Sequence, residues 1–330
     1  MLNGQTILIT GGTGSFGTRF VERTLANYSP KKLIIFSRDE MKQWEMSKSY
    51  ADDRLVRFFI GDVRDKDRLR RALEGVDTVI HAAANKIVHI AEYNPFEVIK
   101  TNIIGAMNVV DACLDAKVKH VVALSTDKAS SPVNLYGATK LASDKLFVSA
   151  NAYSGEAGTK FCVVRYGNVM GSRGSVIPFF LEARKSGTFP ITDPRMTRFM
   201  ITLTQGIDLV YHALSDMHGG EIYVKKIPSM NVIDIAKAIS PVCKTEIIGI
   251  RPGEKLHEQM IGPEDAEFTY EYDDYFKIIP FSRAKAFDSN YIAGGTKVPD
   301  DFCYTSNNNS EIMTHKQLRH WVEKTYKVKL

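Results

Sequence analysis

Gln5-Thr6-Ile7-Leu8-Ile9-Thr10-Gly11-Gly12-Thr13-Gly14-Ser15-Phe16-Gly17 opens the chain with a short apolar run followed at once by a glycine-rich turn. The run reads as a buried strand, and the stretch from Thr18 to about Asn27 is amphipathic at helical spacing, so the segment is strand, turn and helix. Gly11, Gly14 and Gly17 form a G-x-x-G-x-x-G variant of the dinucleotide fingerprint. Missing side chains permit a tight turn and let a pyrophosphate reach the amides of a helix N-terminus. Ordinary turns are glycine-rich too, and it is the strand-to-helix context that favours a cofactor here. Thr13, Ser15 and Phe16 complete the expected cofactor turn.

Further strands follow in a β-α rhythm: Leu55–Ile60, Thr78–His81, His120–Ser125 and Lys160–Arg165. Alternation of this kind predicts an α/β fold with a doubly wound parallel (Rossmann) sheet. Where an NAD-selective fold would close its second strand with an acid, the chain reads Ile34-Ile35-Phe36-Ser37-Arg38-Asp39-Glu40. Ser37 and Arg38 suit a 2′-phosphate, which a guanidinium holds bidentately, so NADP is expected over NAD. Asp39 tempers that preference; Glu40 and Lys42 extend the same candidate cluster, for which an exposed helix cap is the lesser alternative. Asp62, just past a strand end, can accept from an adenine amino group, with Val63 beside it, or act as a turn cap. Ala82 and Ala83 are small enough to let the nicotinamide half of a cofactor pass closely.

Two further motifs stand close together. Leu124-Ser125-Thr126-Asp127-Lys128 ends a strand, and Tyr136-x-x-x-Lys140 opens a helix eight residues later. A tyrosine and a lysine at i and i+4 share a helical face, where the ammonium favours the phenolate and makes the tyrosine a usable proton acceptor. Thr126 and Ser125 can hydrogen-bond substrate or nicotinamide, or serve as caps.

These motifs, with Val164-Arg165-Tyr166-Gly167-Asn168-Val169 and Arg251-Pro252-Gly253-Glu254-Lys255-Leu256-His257-Glu258, resemble those of the extended short-chain dehydrogenase/reductases. Within them the chain is similar, nearly end to end, to the inverting UDP-N-acetylglucosamine 4,6-dehydratases. The glycine turn and the tyrosine-lysine pair carry the superfamily resemblance; Asp127-Lys128 and the Arg-Pro-Gly-Glu-Lys segment carry the dehydratase one.

The resemblance implies a reaction. Tyr136, helped by Lys140, takes the C4 hydroxyl proton as hydride leaves C4 for the nicotinamide; the 4-ketone acidifies the C5 hydrogen. Lys128 then removes the C5 proton and Asp127, as an acid, protonates the departing C6 hydroxyl, after which hydride returns to C6. Base duty needs a depressed lysine pKa and acid duty a raised aspartate pKa, whereas an ion pair moves both the wrong way, so burial is expected to offset the attraction. Retaining relatives carry a glutamate where Lys128 stands, so the lysine points to inversion at C5.

The resemblance also implies a domain plan: residues 1–170 bind NADP, with one returning strand near 220–225, and residues 171–330 form an interleaved, smaller mixed α/β substrate domain. Asn168 would contact substrate phosphate. Arg173, Gly174, Ser175, Val176 and Thr192 would line the nucleotide pocket, and Arg251 with Glu254 would hold the pyrophosphate and the ribose or uracil. Val169 faces the cofactor in this scheme, and Lys86 serves cofactor and sugar. Arg195, Arg198 and His257 are equally read as ligands or as structural groups. Asn85 and His89 depart from the family pattern around Lys86, which bears on sugar selectivity unless they are plain loop substitutions.

Composition fits such an enzyme. The 330 residues, 44% of them hydrophobic, can bury a large core. Cys113, Cys162, Cys243 and Cys303 are widely spaced, which favours neither metal nor disulfide. Met1-Leu2-Asn3-Gly4 runs almost straight into the first strand and no run of about 18 apolar residues occurs, so a cytoplasmic protein without membrane attachment is expected. The net charge of +5 is dispersed, giving no nucleic-acid signature, and a UDP-sugar diphosphate accounts for a local positive site. A homo-oligomer is implied by the resemblance. The alternatives are a nucleotide-sugar 4-epimerase, a retaining dehydratase, or an NADP-binding regulator without chemistry; intact Asp127, Lys128, Tyr136 and Lys140 weigh against the regulator.

Overall fold

A computed structural model describes the chain except for residues 52–53, 156–157, 173 and 282–288. Its main sheet has ten strands. In chain order these are β1 (Thr6–Thr10), β2 (Lys32–Ser37), β3 (Val56–Ile60), β4 (Thr78–His81), β5 (His120–Leu124), β6 (Lys160–Arg165), β7 (Ile222–Lys225), β8 (Thr269–Glu271), β9 (Tyr275–Ile278) and β10 (Thr296–Lys297). Across the sheet they run β10-β8-β9-β7-β6-β5-β4-β1-β2-β3. The seven from β3 to β7 pair in parallel, and the last three are antiparallel.

The parallel strands are apolar because helices cover both faces: every residue of β1 and of β4 is buried. Strand order reverses between β1 and β4, and a doubly wound sheet opens a crevice for ligands at that point, beyond the carboxyl ends of the strands. Three helices frame the crevice: α1 (Ser15–Asn27), α2 (Glu40–Ser47) and α3 (Leu135–Ala150). The expected strands are present within a residue at each end, while α1 begins at Ser15 rather than Thr18, because the turn itself winds into the helix.

The β-α rhythm of the sequence predicts one return to the main sheet, near 220–225. The sheet is re-entered by four late strands, β7 to β10. Beside this sheet a second apolar cluster gathers Ile177, Phe180, Phe189, Ile235, Leu318 and Val322, with a three-stranded sheet of Asn168–Val169, Thr197–Ile201 and Ser229–Asn231.

Candidate active site

A cavity of about 1150 Å³ runs from the glycine turn, across the carboxyl ends of β1, β4 and β5, to the second cluster. At one end Gly11 has a φ of +66°, and a Cβ there would stand 2.9 Å from the backbone of Ala83. Glycine is therefore what brings β1 and β4 together at the crevice floor. Gly14 caps α1 without a side-chain hydrogen bond, so the first-turn amides keep no competing acceptor from the cap. This bare, positively polarised helix start fits a dinucleotide pyrophosphate.

Gly11, Thr13, Gly14, Ser15, Phe16 and Gly17 all line this end. Ser37, Arg38, Asp39 and Lys42 line it from the second strand, joined by Asp62, Val63, Ala82, Ala83 and Lys86. Glu40, expected beside the cofactor, is exposed in the first turn of α2 and does not line the cavity. Asp39 caps α2, accepting from the Lys42 amide at 3.0 Å, and the Lys42 contacts hold its carboxyl below the ordinary range. Arg38 is half-exposed and stands 3.6 Å from Asp62. Arg64 also binds Asp62, at 2.7 Å, so the Asp62 carboxylate is engaged by two guanidinium groups.

Leu124, Ser125, Thr126, Lys128, Tyr136, Lys140, Asn168 and Val169 form the middle of the cavity. Asn134 caps α3, accepting from the Gly137 amide at 2.7 Å. A Cβ at Gly137 would meet the Lys128 carbonyl oxygen at 2.2 Å, so that glycine lets α3 pack directly on the Asp127–Ala129 turn. Tyr136, Lys140 and Asp144 follow at i, i+4 and i+8 along one face. Burial pushes Tyr136 up to about 12, opposed by the Lys128 charge and a hydrogen bond with Thr126. Burial likewise lowers Lys140, with Asp144 opposing.

Asp127 is wholly buried behind Lys128 and does not itself form the wall. Its Oδ1 is 3.0 Å from Lys128 Nζ and accepts from Thr126 Oγ1, also at 3.0 Å. Burial raises the Asp127 carboxyl, outweighing the pull of Lys128. Lys128 departs from expectation. Burial does lower its affinity for a proton, but the carboxylates of Asp127 and Glu258 outweigh this and hold the ammonium above its ordinary value. Glu258 Oε1 is 3.0 Å from Lys128 Nζ. Sequence reasoning placed Glu258 inside a motif without giving it a role.

The far end carries Gly174, Ser175, Val176, Thr192, Arg251 and Glu254; Arg173 lies outside the described residues. Arg251 and Glu254 bind each other at 2.6 Å. Arg198 reaches the wall but spends its guanidinium on the Thr197, Leu256 and Lys255 carbonyls. Arg195 pairs with Asp193, and His257 Nδ1 shares a hydrogen bond with Thr197; neither lines the cavity. Asn85 and His89 do line it, with the Asn85 side chain bonded to the Glu97 carbonyl and Thr101.

The family described as polysaccharide biosynthesis protein matches residues 7–280. The chain belongs to this family. It is 55% identical, over 96% of its length and 97% of the relative's, to a UDP-N-acetylglucosamine 4,6-dehydratase (inverting) from Campylobacter jejuni. It is 42% identical, over 92% and 91%, to a UDP-glucose 4-epimerase from Rickettsia canadensis. Among solved structures, Pen from Bacillus thuringiensis superposes with a TM-score of 0.90 at 36% identity, covering 99% of both chains. Family membership and the four motifs together place the chain among the extended short-chain dehydrogenase/reductases.

Among the described residues, no group of side chains is arranged to hold a metal and no helix is long and apolar enough to cross a membrane. The four cysteines are free thiols.

Proposed function

We propose that the protein is an inverting UDP-N-acetylglucosamine 4,6-dehydratase using NADP. The observation that carries this reading is the seating of Lys128, backed by Asp127, on the same cavity wall as Tyr136 and the glycine turn. An enzyme that only oxidised and reduced C4 would need the tyrosine alone.

The bound nicotinamide supplies hydride acceptance from C4 and hydride return to C6. The chain's own groups move the protons of the C4 hydroxyl, of C5 and of the departing C6 hydroxyl, and the proton that C5 regains as hydride reaches C6 comes from solvent. Tyr136 Oη takes the C4 hydroxyl proton, with Lys140 on its own helical face and Thr126 beside it. Lys128 takes the C5 proton, and Asp127, with its raised carboxyl, protonates the C6 hydroxyl so that water leaves. The first-turn amides of α1 receive the pyrophosphate of the cofactor. Ser37 and Arg38 receive the 2′-phosphate, a reading supported by Asp39 being committed to capping α2. Asn168, Gly174, Ser175, Val176, Thr192, Arg251 and Glu254 hold the UDP end, Arg251 exchanging Glu254 for a phosphate oxygen.

Incubation with UDP-N-acetylglucosamine in heavy water, followed by proton NMR, tests this. The expected product is a 4-keto-6-deoxy sugar with inverted C5 and solvent deuterium at that carbon. The likeness to a 4-epimerase supports a second reading, which predicts the C4 epimer with no loss of water.

A further inference from the structure

Glu258 is 2% exposed and lies far along the sequence from Lys128, the member of the pair that it touches. Lys128 Nζ is 3.0 Å from Asp127 Oδ1 and 3.0 Å from Glu258 Oε1. The second oxygen of each carboxylate, Asp127 Oδ2 and Glu258 Oε2, is buried without a hydrogen-bond partner. Such orphaned oxygens are costly, and a purely structural ion pair would gain nothing by keeping two of them beside one lysine.

We propose that Glu258 is the positioning residue of the acid/base pair: it shares the Lys128 ammonium, and so frees the Asp127 carboxyl to carry the proton delivered to the C6 hydroxyl. This rests on the dehydratase reading. Were Asp127 the sole counter-ion, protonating it would strand a buried ammonium. With Glu258 in place, Lys128 keeps a partner whether or not Asp127 holds a proton. The other groups facing the cluster are Arg198, 3.8 Å from Glu258, Lys255 from its own segment, Asn168, 3.5 Å from Lys128 Nζ, and Tyr136 from α3. Asp127 and Glu258 balance Lys128 and Arg198 one for one, and Lys255 adds one further positive charge at the rim of the set. Moving one proton from Lys128 to Asp127 leaves Glu258 and Arg198 as a balanced remainder.

The step closes on itself. The Lys128 amine takes the C5 proton, the C5–H electron pair becomes the C5=C6 bond, and the C6–O pair leaves with oxygen as Asp127 supplies a proton to form water. The Lys128 ammonium then returns its proton to the Asp127 carboxylate across their 3.0 Å contact, restoring both groups. The negative charge of Glu258 also raises the Asp127 carboxyl, after burial and against Lys128.

The test is the pH profile of water loss in the holoenzyme for wild type, Glu258→Gln and Glu258→Asp, with reduced cofactor followed by absorbance in a single turnover. Loss of the Glu258 charge lowers the proton affinity of both Asp127 and Lys128, so in Glu258→Gln the whole profile moves acidward by about one unit, roughly tenfold at the former optimum. The C4 oxidation burst persists, and Glu258→Asp returns the profile toward wild type. A slower Glu258→Gln with an unmoved profile would overturn the proposal. Should that variant fail to fold, the infrared carbonyl band of protonated Asp127, assigned by its loss in Asp127→Asn, is expected in the wild-type holoenzyme near neutral pH; its absence overturns the proposal. Wild-type protein that binds cofactor, shows the band and releases no water defeats the dehydratase reading instead.

Discussion

Two cations in this molecule, one sealed and one at the cavity wall, are each held between two carboxylates. Arg165, at the end of β6, meets Asp144 at 3.3 Å and Asp265 at 3.1 Å, donates to the Met260 carbonyl at 2.7 Å, and is 2% exposed. Lys128 meets Asp127 and Glu258 at 3.0 Å each, but its side chain is 20% exposed and forms part of the cavity wall. Arginine cannot give up its proton in a protein, and its fork can serve both carboxylates and a carbonyl at once. Lysine is a point charge whose proton can be removed. Around Arg165 the arrangement joins β6, α3 and the segment after Glu258; Asp144 also accepts from Ser125 Oγ at 2.7 Å, so the clamp lies directly under the cavity wall. The same charge formula thus seals a scaffold where the cation is a fixed guanidinium, and in the proposed reaction supplies a base where it is a lysine that faces the cavity.

The comparison breaks most sharply at Lys128→Arg. The charge stays but the base is gone, so water loss from UDP-N-acetylglucosamine is expected to fall by about 10²–10⁴-fold. Reduced cofactor and the C4-oxidised sugar persist, read by absorbance and NMR. Turnover within tenfold of wild type would remove Lys128 from the base role. Arg165→Met exchanges chemistry for stability: it leaves Asp144 buried without its guanidinium, at an expected cost of about 3–5 kcal/mol in unfolding free energy, read by urea titration. A loss below about 1 kcal/mol would mean that the clamp does not hold the scaffold.

Half of this contrast was legible in the sequence. Asp127, Lys128, Tyr136 and Lys140 lie within one strand-turn-helix passage, so spacing alone brings Lys128, Tyr136 and Lys140 to one wall with Asp127 directly behind it. The parallel strands were legible because they are continuous apolar runs closed by turn residues; β4 and β6 fall on the expected limits. The strands β8 and β10 were not, being two or three residues long and too short to show a period. Glu258 is far from Lys128 in sequence, and no periodicity joins them; only the fold does. Arg165 left one usable signal. It ends the apolar run Phe161-Cys162-Val163-Val164, and a charge entering a buried strand must find a partner. Glu40 failed for the opposite reason: proximity in sequence to Ser37 and Arg38 did not carry it round the first turn of α2 to the cavity.

At the cofactor end a cation is held only at the surface, and the expected effects shrink accordingly. Arg38→Ala should weaken NADP binding by about 1.5–3 kcal/mol, the worth of a charge-assisted hydrogen bond, with little change for NAD. Isothermal titration with both cofactors reads the difference; equal losses for the two would detach Arg38 from the 2′-phosphate.

The smallest effect belongs to Asp77, which has one cation instead of two carboxylates sharing one. Its Oδ1 is 2.9 Å from Lys119 Nζ, whose side chain is 67% exposed, and its Oδ2 accepts from the Thr6 amide at 2.9 Å. Burial pushes this carboxyl up, but the Thr6 amide and Lys119 outweigh it, so it lies below the ordinary aspartate range. A lowered folded value means that the group stabilises the protein above the unfolded value of about 4, and that this contribution is lost as pH falls through the folded value. Asp77→Asn should therefore cost about 1 kcal/mol at neutral pH, with the melting temperatures of variant and wild type converging under acid. A gap that stayed constant down to acid pH would show that the Thr6 hydrogen bond carries the stability and that the Lys119 charge carries none.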